Sequence, residues 1–362
     1  MVALPEPTAL EYPFVDGDLG PAKHDLEAIG QRAASLEARG YRGATVAEAG
    51  NDPFLSLVAG AAATKRLELG TAIAVAFARS PMTTAYSCYD LAILSRGRFF
   101  AGLGSQVKAH IERRYSMPWS RPAARMREYV LAMRAIWEAW QSDSRLKFEG
   151  DFYTHTLMSP FFAPGANSYG PPPVYVAAVG ERMTETAGEV ADGMLVHGFT
   201  TRDYVLNTTL PAISRGQARA DRAAGRFTFA LPVLTATGRT EEELMAAVAG
   251  VRERIAFYGS TPAYQPVLAT HGWADLQPEL NSMARQGLWK EMSELITDEI
   301  LHTFAVVGEP HDIADKIAAR WGGVMNRISF YAPYDSDPEM WAAITAEMNE
   351  RRGPAAGGGE RT

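Results

Sequence analysis

Short apolar runs of β type alternate along the chain with longer segments whose apolar residues recur every three or four positions. The first helical segment covers 21–39, with Leu26, Ile29, Ala33 and Leu36 on one face and Gly40 as its stop. Strand 43–47 (GATVA) follows, then an Ala-rich helix over 53–64 opened by Asp52-Pro53, and strand 67–75 (LELGTAIAV). A helix at 81–94 and a strand at 98–103 (RFFAGL) precede the longest amphipathic helix, 121–140, where Met126, Val130, Met133 and Trp137 share a face. After a pause come strand 174–178, helix 181–190, strand 193–197, helix 201–224, strand 227–237 and helix 240–258. A second pause leads to the strand-like 304–307, helix 312–320, strand 327–331 and helix 337–348.

With a weak first strand near 10–14, the pattern holds eight strand–helix units, and 304–307 forms a short extra strand. Repeated units of this kind imply a parallel sheet with helices outside. A doubly wound open sheet satisfies the same alternation. The unit count and the length favour an α/β fold of the (β/α)8 TIM-barrel type. The pauses read as insertions after strands 4 and 7, at about 141–173 and 260–300. The first is rich in Gly, Pro and aromatics, and its FEGDFY reads as a small hairpin. One barrel domain over 1–350 is expected, with 351–362 as a disordered tail.

Composition narrows the partners. Apolar residues are 47% and charged residues 21% of 362, as in a soluble globular protein. A net charge of −7 argues against nucleic acid. The single Cys88 excludes an intrachain disulfide and fits a reducing compartment. No apolar run reaches the roughly 18 residues of a membrane span. The N-terminus lacks the basic start and apolar stretch of a secretory signal. A cytoplasmic protein acting on a small molecule, without nucleic acid or membrane, is expected.

In such a barrel the reactive groups sit at the C-terminal ends of the strands. Gly102-Leu103-Gly104 follows a strand, but Val107 stands where a dinucleotide fingerprint needs a third glycine. The polar run Ser105-Gln106-Val107-Lys108-Ala109-His110 comes next, with Glu112, Arg113 and Arg114 behind it. Those last three read as a solvated helix face. Lys108 and His110 read equally as surface or as anion-binding and proton-transfer groups. Ala177-Ala178-Val179-Gly180 leads straight into a helix, whose free amides and dipole favour a phosphate, with Arg182 and Thr184 beside it. Gly70 marks a bulge or a close approach to something planar. Glu48 and Asp52 end the second strand, where Asp52 suits a helix cap and Glu48 suits chemistry.

The seven histidines show no metal-ligand spacing, so no metal site is expected. His197 at a strand end is a site candidate, while His24, His302 and His311 read as surface. Cys88 reads as buried and inert.

The segment LELGTAIAVAFARSPMTTAYSCYDLAILSRGRFFAGLGSQ resembles the luciferase-like flavin and deazaflavin oxidoreductases. PPPVYVAAVGERMTETAGEVADGMLVHGF and FAVVGEPHDIADKIAARW are similar to two further blocks of that family, in its order. QVKAHIERRYSMPWSRPAARMREYV resembles an actinobacterial subgroup dependent on coenzyme F420. The resemblance implies a (β/α)8 barrel with insertions, binding coenzyme F420, or alternatively FMN, at the strand C-termini. It places a non-prolyl cis peptide at Ala72–Ile73, pressing with Ala74 on one face of the ring. Gly104, Ser105, Gln106, Val107 and Lys108, then Ala177, Ala178, Val179, Gly180, Arg182, Met183 and Thr184, and His197, would hold the rest of the cofactor. Arg113 and Arg114 would join Lys108 and Arg182 around its acidic tail.

The chain departs from the family's pattern at Ala49, where many members have His, at Val107, where sugar-phosphate dehydrogenases have Glu, and at Ser105, where light-emitting luciferases have Arg. Glu48 and His110 are therefore the candidate catalytic residues. The aromatic-rich inserts would cover the mouth and shape an apolar substrate pocket, and the resemblance implies a homodimer. Three functions stay open: F420-dependent hydride transfer, a monooxygenase using reduced FMN and oxygen, and a non-catalytic cofactor-binding barrel.

Overall fold

The computed structural model describes residues 10–20, 25–220 and 227–353. The expected tail from 354 on, the start of the 21–39 helix with His24, and the end of the 201–224 helix lie outside the described residues, whereas Arg351 and Arg352, expected in the tail, continue the last helix.

Eight parallel strands close into a barrel: β1 (Phe14–Asp18), β2 (Gly43–Val46), β3 (Glu68–Thr71), β4 (Phe99–Gly104), β5 (Val174–Ala178), β6 (Gly193–Val196), β7 (Thr228–Ala236) and β8 (Arg327–Tyr331). The ring closes where β8 pairs with β1 through Phe14↔Arg327 and Val15↔Ile328. The doubly wound alternative is thereby excluded. A two-residue strand, Ala74–Val75, continues β3 along β4 beyond the break at Ala72–Ile73. Val306–Val307 is the short extra strand, laid on the end of β7.

Outside the ring stand α1 (Leu26–Ala38), α2 (Pro53–Ala63), α3 (Pro81–Leu94), α4 (Pro122–Ser142), α5 (Glu181–Val190) and α6 (Leu210–Arg219). Their starts are encoded locally: Asp25, Asp52 and Ser80 accept the backbone N–H of Ala28, Phe54 and Thr83 at the caps of α1, α2 and α3. Pro53 and Pro81 occupy first-turn positions that have no intrahelical partner to lose. The first insertion carries the expected hairpin, Phe148–Glu149 against Thr154–His155. The Glu128 carboxylate accepts the backbone N–H groups of Asp151, Phe152 and Tyr153 and fixes its turn to α4.

Two expectations are corrected. The first strand lies at Phe14–Asp18 rather than near 10–14. Its polar FVDGD is interior because the buried Asp16 receives Arg327 through two hydrogen bonds, 2.7 and 2.6 Å long. The helix taken to complete the seventh unit is also misplaced. This α7 (Glu241–Gly259) packs with the following helices Leu276–Gln286 and Trp289–Glu294. A Cβ on its Gly250 would lie 3.1 Å from the Pro333 oxygen, past the end of β8. The wall position goes instead to α8 (Pro310–Trp321), with α9 (Pro338–Arg352) beside it. Arg202 bonds the Arg320 carbonyl and ties α8 to the β6 side of the ring. The insertion after strand 7 thus begins at α7 and roofs the barrel mouth.

The roof has its own core. Ala247, Val251, Ile255, Leu268, Leu280, Met292 and Phe304 cluster with Phe199, Leu234 and Ala236 from the strand ends. The barrel wall has another, running from Val15 through Trp137 and Trp321 to Met348.

Candidate functional site at the barrel mouth

Between β3 and β4 the strands approach closely because side chains are missing. A Cβ on Gly102 would overlap the Thr71 carbonyl oxygen, and one on Gly70 would overlap the Phe100 ring. The planar group that Gly70 accommodates is therefore the protein's own Phe100, stacked on Tyr175 with ring centroids 4.8 Å apart. Gly104 leaves room for Ile73, whose Cδ1 would lie 2.7 Å from an added Cβ. The Ala72–Ile73 peptide is cis, at the expected position, and both residues are partly exposed toward the mouth.

Glu48 lies at the end of β2 with both carboxylate oxygens engaged. Oε2 accepts the Val75 N–H at 2.7 Å and Arg79 Nη1 at 2.5 Å. Oε1 accepts the Tyr115 hydroxyl at 2.9 Å. Burial, and then Glu48 itself, push the Tyr115 pKa up and keep that hydroxyl a donor. Arg79 continues to Asp52 at 2.9 Å, so Asp52 both caps α2 and closes this network.

After β4 the chain turns at Gln106, whose φ is +58°. The Gln106 Oε1 accepts the Val107 N–H at 3.0 Å just before the short helix Lys108–Arg113, which no side chain caps. His110, Arg113 and Arg114 are exposed there, and Lys108 stands 3.8 Å from Glu112. Ser105 donates to the Gln106 carbonyl at 3.1 Å. His110 is thus exposed on this short helix, and its carbonyl accepts the backbone N–H of Tyr115, whose hydroxyl reaches Glu48.

Across the mouth, Ala178, Val179, Gly180 and Thr184 share a pocket with His197, Thr200, Tyr204, Thr209 and Tyr264. Gly180 begins α5 at φ +76°, and no side chain caps the helix. Its first-turn amides therefore face the pocket mouth without an internal acceptor. Thr184 donates to the Gly180 carbonyl at 3.0 Å, and Met183 is buried behind it. Arg182 is exposed, while Glu181 turns outward to Arg215 at 2.8 Å. Thr200 is 4% exposed, and its hydroxyl has no partner. Among the described residues this is a buried polar atom on the pocket wall awaiting an acceptor or donor.

His197 bridges this pocket to the roof. Its Nδ1 accepts the Phe199 backbone N–H at 3.0 Å, so the ring proton sits on Nε2. Nε2 in turn donates to the Tyr264 hydroxyl at 3.0 Å, and the two rings stack with centroids 4.7 Å apart. Burial lowers the His197 pKa to about 4, so the imidazole is neutral in ordinary buffers. Burial likewise pushes Tyr264 up to about 12.

The sequence pattern singled out His197, the β5–α5 junction and the aromatic-rich second insert, which carries Tyr264. It assigned no role to Thr200, Thr209 or Arg79, because a Thr or Arg acquires a site role only from what the fold sets beside it. The described residues contain no cluster of His, Cys, Asp and Glu able to hold a metal. None of their helices is long and apolar enough to cross a membrane. Cys88 is fully buried, and burial raises its thiol pKa.

A closed ring of eight parallel strands with helices outside, a helical roof and a pocket at the strand C-termini defines a TIM barrel. The chain belongs to the luciferase-like monooxygenase family, whose model matches residues 12–326. It is similar, at 50% identity over 309 residues, to an uncharacterized protein of Mycobacterium tuberculosis, covering 85% of this chain and 91% of that one. It is also similar to the F420-dependent glucose-6-phosphate dehydrogenase of Beutenbergia cavernae, at 32% identity over 46% of this chain and 48% of that one. Its fold is that of the coenzyme F420-dependent tetrahydromethanopterin reductase from Methanopyrus kandleri: the TM-score is 0.73 at 21% identity, over 93% of this chain and 97% of that one.

Proposed function

We propose that the protein is a coenzyme F420-dependent oxidoreductase that exchanges a hydride with a small organic substrate at the barrel mouth. The observation that carries this reading is the pocket between β5, α5 and β6. There an uncapped helix start meets the partnerless buried hydroxyl of Thr200. A phosphate group of the cofactor fits that donor set, since helix N-termini attract anions through free amides and the helix dipole. The likeness to an F420-dependent dehydrogenase supports the choice of cofactor.

When bound, the deazaflavin supplies a carbon that gives or takes a hydride, and the protein supplies position and electrostatics. Ala72, Ile73 and Ala74 offer small or flexible walls at the broken third strand. Gly180, Arg182 and Thr200 hold the phosphate end. Exposed Lys108, Arg113 and Arg114 give the acidic tail cationic company. Glu48, with both oxygens engaged, positions Arg79 and Tyr115 rather than exchanging a proton. His197 Nε2–H, donating to Tyr264, leaves the Tyr264 hydroxyl proton free to face the mouth.

The test is titration of the purified protein with coenzyme F420 and with FMN, each oxidised and reduced, followed by fluorescence. Saturable F420 binding at least tenfold tighter than FMN supports the reading. FMN binding alone overturns it in favour of a flavin monooxygenase.

A further inference from the structure

Arg254 on α7 is a partly buried cation with no carboxylate or carbonyl to answer it among the described residues. Its guanidinium carbon lies 5.7 Å from the Phe257 ring centroid, 5.9 Å from that of Tyr258 and 5.8 Å from that of Tyr331. No hydrogen bond or ion pair to another described residue involves it. The other arginine of this helix differs: Arg252 is taken by the Ile296 carbonyl and Asp298. A guanidinium has five N–H donors in one plane. Stacking on rings leaves that plane's edge free, and this fork matches a carboxylate in bidentate fashion.

The neighbouring hydroxyls complete the count. Tyr258 and Tyr331 lie 2.8 Å apart, oxygen to oxygen. Two hydroxyls carry two protons, and their mutual bond uses one. The other is available to a third group. Tyr331 is the last residue of β8, so this donor pair opens at the C-terminal end of the barrel. The Tyr258 ring meets the His197 ring edge-on at 4.8 Å, which joins the cluster to the cofactor pocket through aromatic surface.

We propose that Arg254, with the Tyr258–Tyr331 hydroxyl pair, is a subsite for the carboxylate of an organic acid whose apolar body lies along the aromatic wall toward His197. This deepens the reading above and rests on it for the identity of the redox partner. It also replaces the expectation of a purely apolar substrate with a substrate that is apolar at one end and anionic at the other. A cofactor tail rich in carboxylates could meet the same guanidinium, and the experiment separates the two.

The probes are the matched pairs benzoate with benzamide and hexanoate with hexanamide, titrated calorimetrically into the full-length protein. Coenzyme F420 is titrated in parallel. The wild type is expected to bind at least one carboxylate at least tenfold more tightly than its amide. Arg254→Gln should remove that preference, Arg254→Lys should restore part of it, and F420 affinity should stay within twofold in both variants. Tyr331→Phe should weaken the same carboxylate a few-fold. A thermal melt confirms that the variants fold, and Arg254→Lys or Tyr331→Phe carries the test if the Gln variant does not. Equal binding of acid and amide by the wild type overturns the proposal. A loss of F420 affinity that parallels the loss of carboxylate assigns Arg254 to the cofactor tail and overturns it as a substrate site. Failure of F420 to bind while the carboxylate preference persists strikes the proposed cofactor and leaves this subsite standing.

Discussion

Glu48 and Arg79 meet at 2.5 Å where β2 ends and the break in the third strand resumes as Ala74–Val75. The glutamate side chain is 7% exposed and the arginine 18%. Removing one partner of such a pair leaves a charge without compensation in low dielectric. Glu48→Ala should therefore lower the unfolding free energy by about 3 kcal/mol. With Arg79→Ala it should show a coupling of about 1–2 kcal/mol in a double-mutant cycle followed by urea denaturation. Additive losses would mean that the contact contributes nothing of its own.

Thr200 gives a prediction of opposite signs for stability and binding. Its buried hydroxyl has no partner, so Thr200→Val should raise stability by about 1 kcal/mol by removing an unsatisfied group. The same change should weaken coenzyme F420 binding about tenfold, the size of one lost hydrogen bond to a charged group. A thermal melt without ligand and a fluorescence titration read the two effects separately. A valine variant that is both less stable and unaltered in affinity would remove Thr200 from the phosphate site.

His197 ties stability to pH. Its folded pKa of about 4 lies below the ordinary histidine value of 6.5, so over that window the unfolded chain binds more protons than the folded one. Unfolding free energy should thus rise with pH between about 4 and 6.5, by roughly 2–3 kcal/mol in all. The stabilisation is complete above the unfolded value and is lost as pH falls through the folded one. His197→Asn keeps an acceptor for the Phe199 N–H and has no ring to titrate. Its urea midpoints should lose most of the slope in that interval. An unchanged slope would place the effect on other groups.

The glycines of the third and fourth strands are predicted to be intolerant for steric reasons. Gly102→Ala would press a methyl group onto the Thr71 carbonyl, which is backbone and cannot rotate away. A loss above about 4 kcal/mol, or failure to accumulate folded protein, is expected. Gly50→Ala meets nothing within 4 Å and serves as the control, with a melting temperature near wild type.

The alternation of apolar runs and helical segments carried the barrel because each wall element faces one core and pairs with its neighbours in sequence. It misplaced β1 because the strand's own FVDGD carries two aspartates, whereas Arg327 arriving from the far end of the chain makes Asp16 an interior residue. It assigned α7 to the wall because periodicity reports how much of a helix is buried and not what buries it. At the mouth, the small residues before α5 were legible as a strand running straight into a helix start. Thr200 and Arg254 were not, since their significance lies in lacking a partner, a property that exists only once the fold has decided who stands next to whom.

The separate packing of the roof and the wall divides the molecule's evolutionary freedom. The helices after β7 stand apart from the glycine contacts that keep the staves of the ring together, so under the proposed function substitutions there should change which molecules are admitted and leave the ring intact. One cask can thus be fitted with many lids, and diversity among relatives should concentrate in that removable part.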